Sequence, residues 1–411
     1  PNSVTSIGSN AFYGTSLKKT IWLTNTPPIG YTNAAGTINY VANEQYTSLS
    51  NKTVYPFLSS IFEVDGVKYV PVSPSERTCD AIDCVFDSTA THTRILSAVT
   101  YRGVTLNVLN IKPYVCNNNI YIEDLEINYE GVVPDFAFQC CSSITNAKIG
   151  EKVNAIQSYA FNGCTMLKTA ELRENITSIG DYAFASCEKL QSIIIPDSTK
   201  AIGQSAFSNC SALSDVHIGT NVKEIGTYAF QNCESLPSIS IPQVTTDIKD
   251  YVFYGCTGLK TVLIADREAE LKLGSNDNSP LFSSCPLDSV YIGGNITYST
   301  ASNKGYSPFY RNATLRSVTI TDKETEISPN EFYGCTNLQN VRIGDGVTTI
   351  GDWAFSGCFS LSYFAFGTQV NSIGKEAFSD CTNVARIISK AEVPPVCGSQ
   401  ALDDINKWNC Q

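Results

Sequence analysis

Two histidines, sixteen cysteines and a scatter of acids are the residues through which this chain could do chemistry. His92 and His217 alone exclude most zinc sites and most imidazole-based catalysis. No G-x-S-x-G, P-loop, H-E-x-x-H or strand-following G-x-G-x-x-G occurs. A serine or cysteine nucleophile therefore has no base at a recognisable spacing, and a lone histidine on a solvated face is most often just that. The carboxylates are spread along the chain, and no pair stands out as a glycosidase dyad. We assign no catalytic residue, no metal ligand and no cofactor.

The cysteines follow a rule. Cys141, Cys164, Cys187, Cys210, Cys233, Cys256, Cys285, Cys335, Cys358 and Cys381 each stand three residues after a phenylalanine. A position repeated in this way answers a packing demand, so a ladder of buried free thiols is expected rather than a disulfide framework. A redox or metal array would need exposed thiolates, which apolar surroundings oppose. Cys79, Cys84, Cys116, Cys140, Cys397 and Cys410 lie off the ladder. Cys79 could close a small loop with Cys84, and Cys116 could meet Cys140 in a neighbouring unit. Connectivity is not readable from sequence.

What positions these residues is an internal repeat. Phe138, Phe161, Phe184, Phe207, Phe230 and Phe253 follow at intervals of 23; steps of 29 and 27 lead to Phe282 and Phe309; the interval of 23 resumes with Phe332, Phe355 and Phe378. Phe12 belongs to a further unit, and Val115 reads as a degenerate first member. Ile usually precedes the Phe by five, as at Ile156, Ile179, Ile202 and Ile225, and Leu follows it by six. The stretch LSDVHIGTN at 213–221 has the L-x-x-V-x-I-x-x-N pattern of a leucine-rich-repeat strand. Alternating apolar residues describe a short strand with one buried face, which only stacking on identical neighbours can hide. The spacing predicts an α/β, β-rich, right-handed solenoid, with a parallel sheet on the concave face. The Gly turn before each Ala-Phe pair predicts a short helical or 3₁₀ segment on the convex side.

The run I-G-x-x-A-F-x-x-C-x-x-L-x-x-I-x-I-P resembles the leucine-rich repeats of the BspA-like bacterial surface proteins, over about residues 1–24 and 106–390. Asn312 departs from the pattern by replacing the Cys after Phe309, and Val115 departs from it as well. The resemblance implies an exported protein at the cell surface or outside the cell, adhering to host proteins, other cells or matrix. It implies no enzyme activity and no fixed binding residues.

Composition sets the outer limits. The formal net charge is −11, and apolar residues make up 43% against 16% charged, which supports a packed interior. The acid excess and the lack of any Lys/Arg block argue against a nucleic-acid partner. No run of 18 or more apolar residues exists to span a bilayer. The chain opens at Pro1 within a repeat, so the true N-terminus, with any signal peptide, is expected to lie before it, and the absence of such a segment carries no information.

Around the main array the pattern changes. Residues 1–55 read as the last repeat and closing unit of a first array. Asp65-Gly66 and Arg102-Gly103, each between alternating apolar residues, predict two hairpins in a β cap or junction over 56–105. Residues 106–395 form the main array, and 396–411 begin a C-terminal closing unit. One continuous solenoid with a β insertion is the alternative.

Two surfaces could bind. The outward positions of the strands run Lys148, Glu171, Ile194, His217, Ser240, Leu263, Tyr291, Thr319, Arg342, Ala365 and Ile388. From the concave face we single out Lys148, Glu171, His217, Tyr291, Arg342, Tyr363 and Arg386. The two long repeats add loops bearing Tyr298, Tyr306 and Tyr310, whose rings could make rigid contacts. The expected partner is an extracellular protein or glycan; the alternative function is a passive spacer.

Overall fold

The computed structural model describes residues 20–22, 39–41, 61–73, 76–274, 280–298 and 307–402. Each coil of the array contributes a longer strand, a tight corner, a two- to four-residue strand and a run of turns. The longer strands form a six-stranded sheet from His92–Leu96 to Asp215–His217, then a seven-stranded sheet from Ser238–Ile241 to Arg386–Ser389. The shorter strands form sheets of eight and four strands on a second side. Every pairing between coils is parallel, and equivalent residues stand in register, as with Ser240, Leu263, Tyr291, Thr319 and Arg342. The longer-strand sheet breaks where Pro237 opens a strand. Lys168, Gln191 and Ser214 each donate their N–H to the coil before, and proline has none to give.

Inside, the eleven anchor phenylalanines from Phe138 to Phe378 form one unbroken stack. Successive ring centroids lie 5.1 Å (Phe161–Phe184) to 6.1 Å (Phe230–Phe253) apart. The stack crosses both long repeats without a gap. All ten ladder cysteines are buried free thiols. Their role goes beyond that of a small apolar group, since each Sγ donates to a main-chain oxygen of the preceding coil, as Cys256 does to Phe230 at 3.1 Å.

Among the described residues, the segment around each Ala-Phe pair is not helical or 3₁₀. A 3₁₀ helix returns every N–H to its own chain three residues back. Here only alternate ones do so: Ala160, Asn162 and Cys164 bond within the turn, whereas Tyr159, Phe161 and Gly163 donate to Asp181, Ala183 and Ala185 of the next coil. The alternation places the residues two before and two after the Phe in the left-handed region, with Tyr159 at φ 59° and Gly163 at 75°. The Gly at the preceding corner serves close approach instead. A Cβ on Gly203 would stand 2.5 Å from the carbonyl carbon of Gly180.

The first coil is also set differently from the sequence reading. Cys116, not Val115, occupies the anchor position: its N–H bonds to Ala137 as that of Phe138 bonds to Ala160, and its carbonyl accepts the Cys141 thiol. Cys116 forms a disulfide with Cys84, Cα–Cα 4.9 Å. The Cys79–Cys84 and Cys116–Cys140 pairings therefore do not occur; Cys79 is buried and free, Cys140 exposed and free.

Residues 62–111 build a five-stranded sheet with both expected hairpins. Asp65-Gly66 and Arg102-Gly103 all have positive φ, as a type I′ turn requires. One apolar core runs without interruption from Phe62 in this sheet to Ala401 in the last coil. The strand His92–Leu96 leaves the sheet to pair with Asp124–Asn128, which begins the longer-strand sheet of the array.

Candidate binding face

Each longer strand turns alternate side chains out of the coil, so the sheet presents two outward rows. Arg94, Glu126, Lys148 and Glu171 follow one another in one row, and Asp124, Asn146 and Thr169 in the other. This end of the face satisfies itself. Arg94 pairs with Glu126 at 3.0 Å, His92 Nδ1 with Asp124 at 3.0 Å, Asn146 donates to Asp124 at 2.7 Å and Thr169 to Asn146 at 2.8 Å. Lys148 stands between two acids in register. His217, next to Ile194, is exposed.

The other end differs. Tyr291, Thr319, Arg342 and Ala365 follow in register and form the floor of a cleft of about 680 Å³. Tyr363 stands at its side, in the adjoining row, 48% exposed and paired in register with Arg386. The rim comes from the turns that leave the strands: Asp266, Asp322, Lys323, Asp345 and Lys390. Tyr291 donates its hydroxyl to Asp266 at 2.8 Å, and that bond holds its pKa above the ordinary phenol value. Asp322 accepts the N–H of Asp345 at 2.7 Å, and Asp345 that of Thr368 at 3.1 Å. Each carboxylate is thus oriented through one oxygen. Lys323 is neutralised by Glu268 at 2.6 Å. Arg342 is exposed and, among the described residues, meets no carboxylate and no hydrogen-bond acceptor.

The cleft gathers Tyr291, Arg342 and Tyr363 from the residues singled out in the sequence. It leaves Lys148, Glu171, His217 and Arg386 elsewhere on the face. The rim acids went unrecognised, although Asp266, Asp322 and Asp345 share an offset, each two residues past the last Ile of its strand. Of the loop tyrosines, Tyr298 is turned inward. It packs on the core and donates to the carbonyl of Pro329 at 3.0 Å. Tyr310 stacks on Tyr333 at 5.1 Å with the Arg311 guanidinium over both rings, along the run of turns. Tyr306 and the insertions at 275–279 and 299–306 lie outside the described residues. Among the described residues no three His, Cys, Asp or Glu side chains converge to hold a metal ion, and no helix is long and apolar enough to cross a membrane.

In-register parallel strands, an internal side-chain ladder and an open sheet face define a leucine-rich-repeat solenoid. The chain belongs to the BspA-type leucine-rich-repeat family, whose model matches in six copies over residues 1–53, 131–260, 177–303 and 302–399. Solved structures similar to it include a leucine-rich repeat protein from Bacteroides ovatus, 22% identical, TM-score 0.49, covering 85% of this chain and 99% of that one. A leucine-rich cell surface protein from Faecalibacterium prausnitzii is 21% identical, TM-score 0.44, covering 85% and 94%. The Treponema pallidum leucine-rich repeat protein is 25% identical, TM-score 0.40, covering 55% and 91%. No curated protein matches the chain.

Proposed function

We propose that this protein is an exported adhesin that docks a host protein, matrix component or glycan non-covalently and performs no catalysis. The observation that carries the reading is the unneutralised Arg342 between Tyr291 and Tyr363, on strands that need no further partner. The Cys84–Cys116 disulfide supports export, since such bonds persist in oxidising compartments. In this reading the coils are right-handed, as parallel crossovers nearly always are. The longer-strand sheet is the concave face, and the chain divides at 1–55, 56–105, 106–395 and 396–411. The test is a binding screen of the purified protein against matrix proteins, plasma proteins and glycans, beside a variant carrying Tyr291→Ala, Arg342→Ala and Tyr363→Ala. A ligand lost by the variant upholds the reading and places its site; a ligand retained moves the site off the cleft.

A second reading has its own observation. The unbroken phenylalanine stack and the bonds between successive coils make a stiff body suited to hold another module away from the envelope. A spacer binds nothing in that screen.

A further inference from the structure

Within the adhesin reading, on which this inference rests, we propose that the cleft takes a carboxylate-bearing glycan, with Arg342 as the receptor for the sugar carboxylate. Arg342 presents its guanidinium donors to solvent with no acceptor among the described residues, between the short side chains of Thr319 and Ala365. That is room for a planar anion to meet the fork bidentately, the geometry in which arginine is strongest. The rim supplies the complementary chemistry. Asp322 and Asp345 are each held by a main-chain N–H through one oxygen, which leaves the other to accept hydroxyls. Tyr363 offers a half-exposed ring to the apolar C–H face of a pyranose.

A free cation beside fixed acceptors and an aromatic ring calls for a ligand that is anionic, rich in hydroxyls and partly apolar. An extended peptide fits less well. The floor strands Ser289–Ile292, Ser317–Ile320 and Asn340–Ile343 are bonded to neighbours on both sides, so the cleft has no strand edge for a peptide backbone to join.

The test is calorimetric titration of the full chain with four probes. These are 3′-sialyllactose, lactose, a hexasaccharide of alternating glucuronate and N-acetylglucosamine, and the same hexasaccharide with its carboxyls reduced. The two acidic probes separate a terminal sialic acid from an internal uronate as the source. The inference expects at least one acidic probe to bind about tenfold more tightly than its neutral counterpart, with Arg342→Gln abolishing that difference and Arg342→Lys keeping part of it. Equal binding of acidic and neutral probes overturns it, as does an unchanged preference in Arg342→Gln. Failure of all four, with a protein ligand found in the wider screen, overturns this inference and leaves the adhesin reading standing. Failure in both experiments overturns both.

Discussion

The thiol of Cys187 donates to the main-chain oxygen of Phe161, in the preceding coil, at 3.3 Å. The same bond recurs from Cys164 to Phe138 and from Cys381 to Phe355. Where the cysteine is missing, the bond is kept. Asn312 donates from Nδ2 to Phe282 at 3.3 Å and to Cys285 at 2.8 Å. Asn119, three residues after Cys116, donates to Val85 of the cap at 2.8 Å. The position therefore selects a compact buried donor, and sulfur is one way to supply it.

That requirement predicts a graded cost. Cys210→Ala removes a buried sulfur and one donor, and should destabilise by about 1–2 kcal/mol. Asn312→Ala strips the partner from two buried carbonyls and should cost more, about 2–4 kcal/mol, with Asn312→Cys recovering part of the loss. Urea unfolding of the three variants measures the order. Equal stability of Asn312→Ala and the parent chain would remove the donor argument.

Reactivity should divide the same thiols. Burial pushes the Cys210 and Cys335 thiols up to about 12, and Cys187, Cys233 and Cys358 are raised by the same cause. A buried thiol that stays protonated is no nucleophile. Cys140 and Cys397 are exposed. A disulfide-exchange reagent at neutral pH should modify these two in the native protein, and the ladder only after denaturant is added. Peptide mapping after brief labelling reads the outcome; early modification of Cys187 or Cys233 contradicts it.

Much of this was legible in the sequence because repetition makes a packing demand visible. Phe184 and Cys187 are each one of a series, and the series declares an interior. The turns were not legible. The pattern around Tyr182 and Ala183 looks like a helix start, and nothing local reveals that alternate N–H groups are committed to the next coil. Cys116 was missed as an anchor because it lies one residue further along than the repeat length predicts, and its disulfide partner sits in the cap. On the longer-strand sheet, Tyr291, Arg342 and Tyr363 could be placed on the outward side because strand register fixes them. Asp322 and Asp345 were not, because an acid in a turn reads as solvated until the coil behind it supplies the N–H that fixes it.

The Cys84–Cys116 disulfide joins the last strand residue of Thr78–Cys84 to the first anchor of the array, across a sequence separation of 32. Closing a loop of that length restricts the unfolded chain by about 3–4 kcal/mol in the chain-entropy account. Reduction, or Cys84→Ala with Cys116→Ala, should therefore lower the thermal midpoint. The loss should begin at the cap end, where hydrogen exchange at Ile82 and Leu125 should quicken before that at Phe332. Uniform quickening along the array would show that the disulfide does not act locally.

The last expectation concerns Glu324 and Glu331, which lie 1% and 0% exposed in one coil. Each stands where the following coils carry an apolar residue, Val347 and Val370 for the first, Ala354 and Ala377 for the second. Glu331 accepts the N–H of Ser328 at 2.7 Å through one oxygen, but its other oxygen and one of Glu324 have no hydrogen-bond partner. Burial disfavours the charged form of both; the Glu331, Glu326 and Glu270 carboxylates add repulsion on Glu324, and Glu326 adds it on Glu331, against which the Ser328 N–H works. The folded pKa values thus lie above the ordinary 4.5. Above that value the folded state holds more protons than the unfolded one, so the contribution is fully present in acid and is lost as pH rises. Stability should fall by on the order of a few kcal/mol between roughly pH 5 and pH 8, with the change concentrated in this coil. Glu324→Val with Glu331→Ala restores the residues of the neighbouring repeats. It should flatten the profile and raise stability most at the alkaline end. Denaturant unfolding of both proteins at the two pH values decides the matter, and parallel pH profiles would mean that the carboxyls ionise freely in the folded chain.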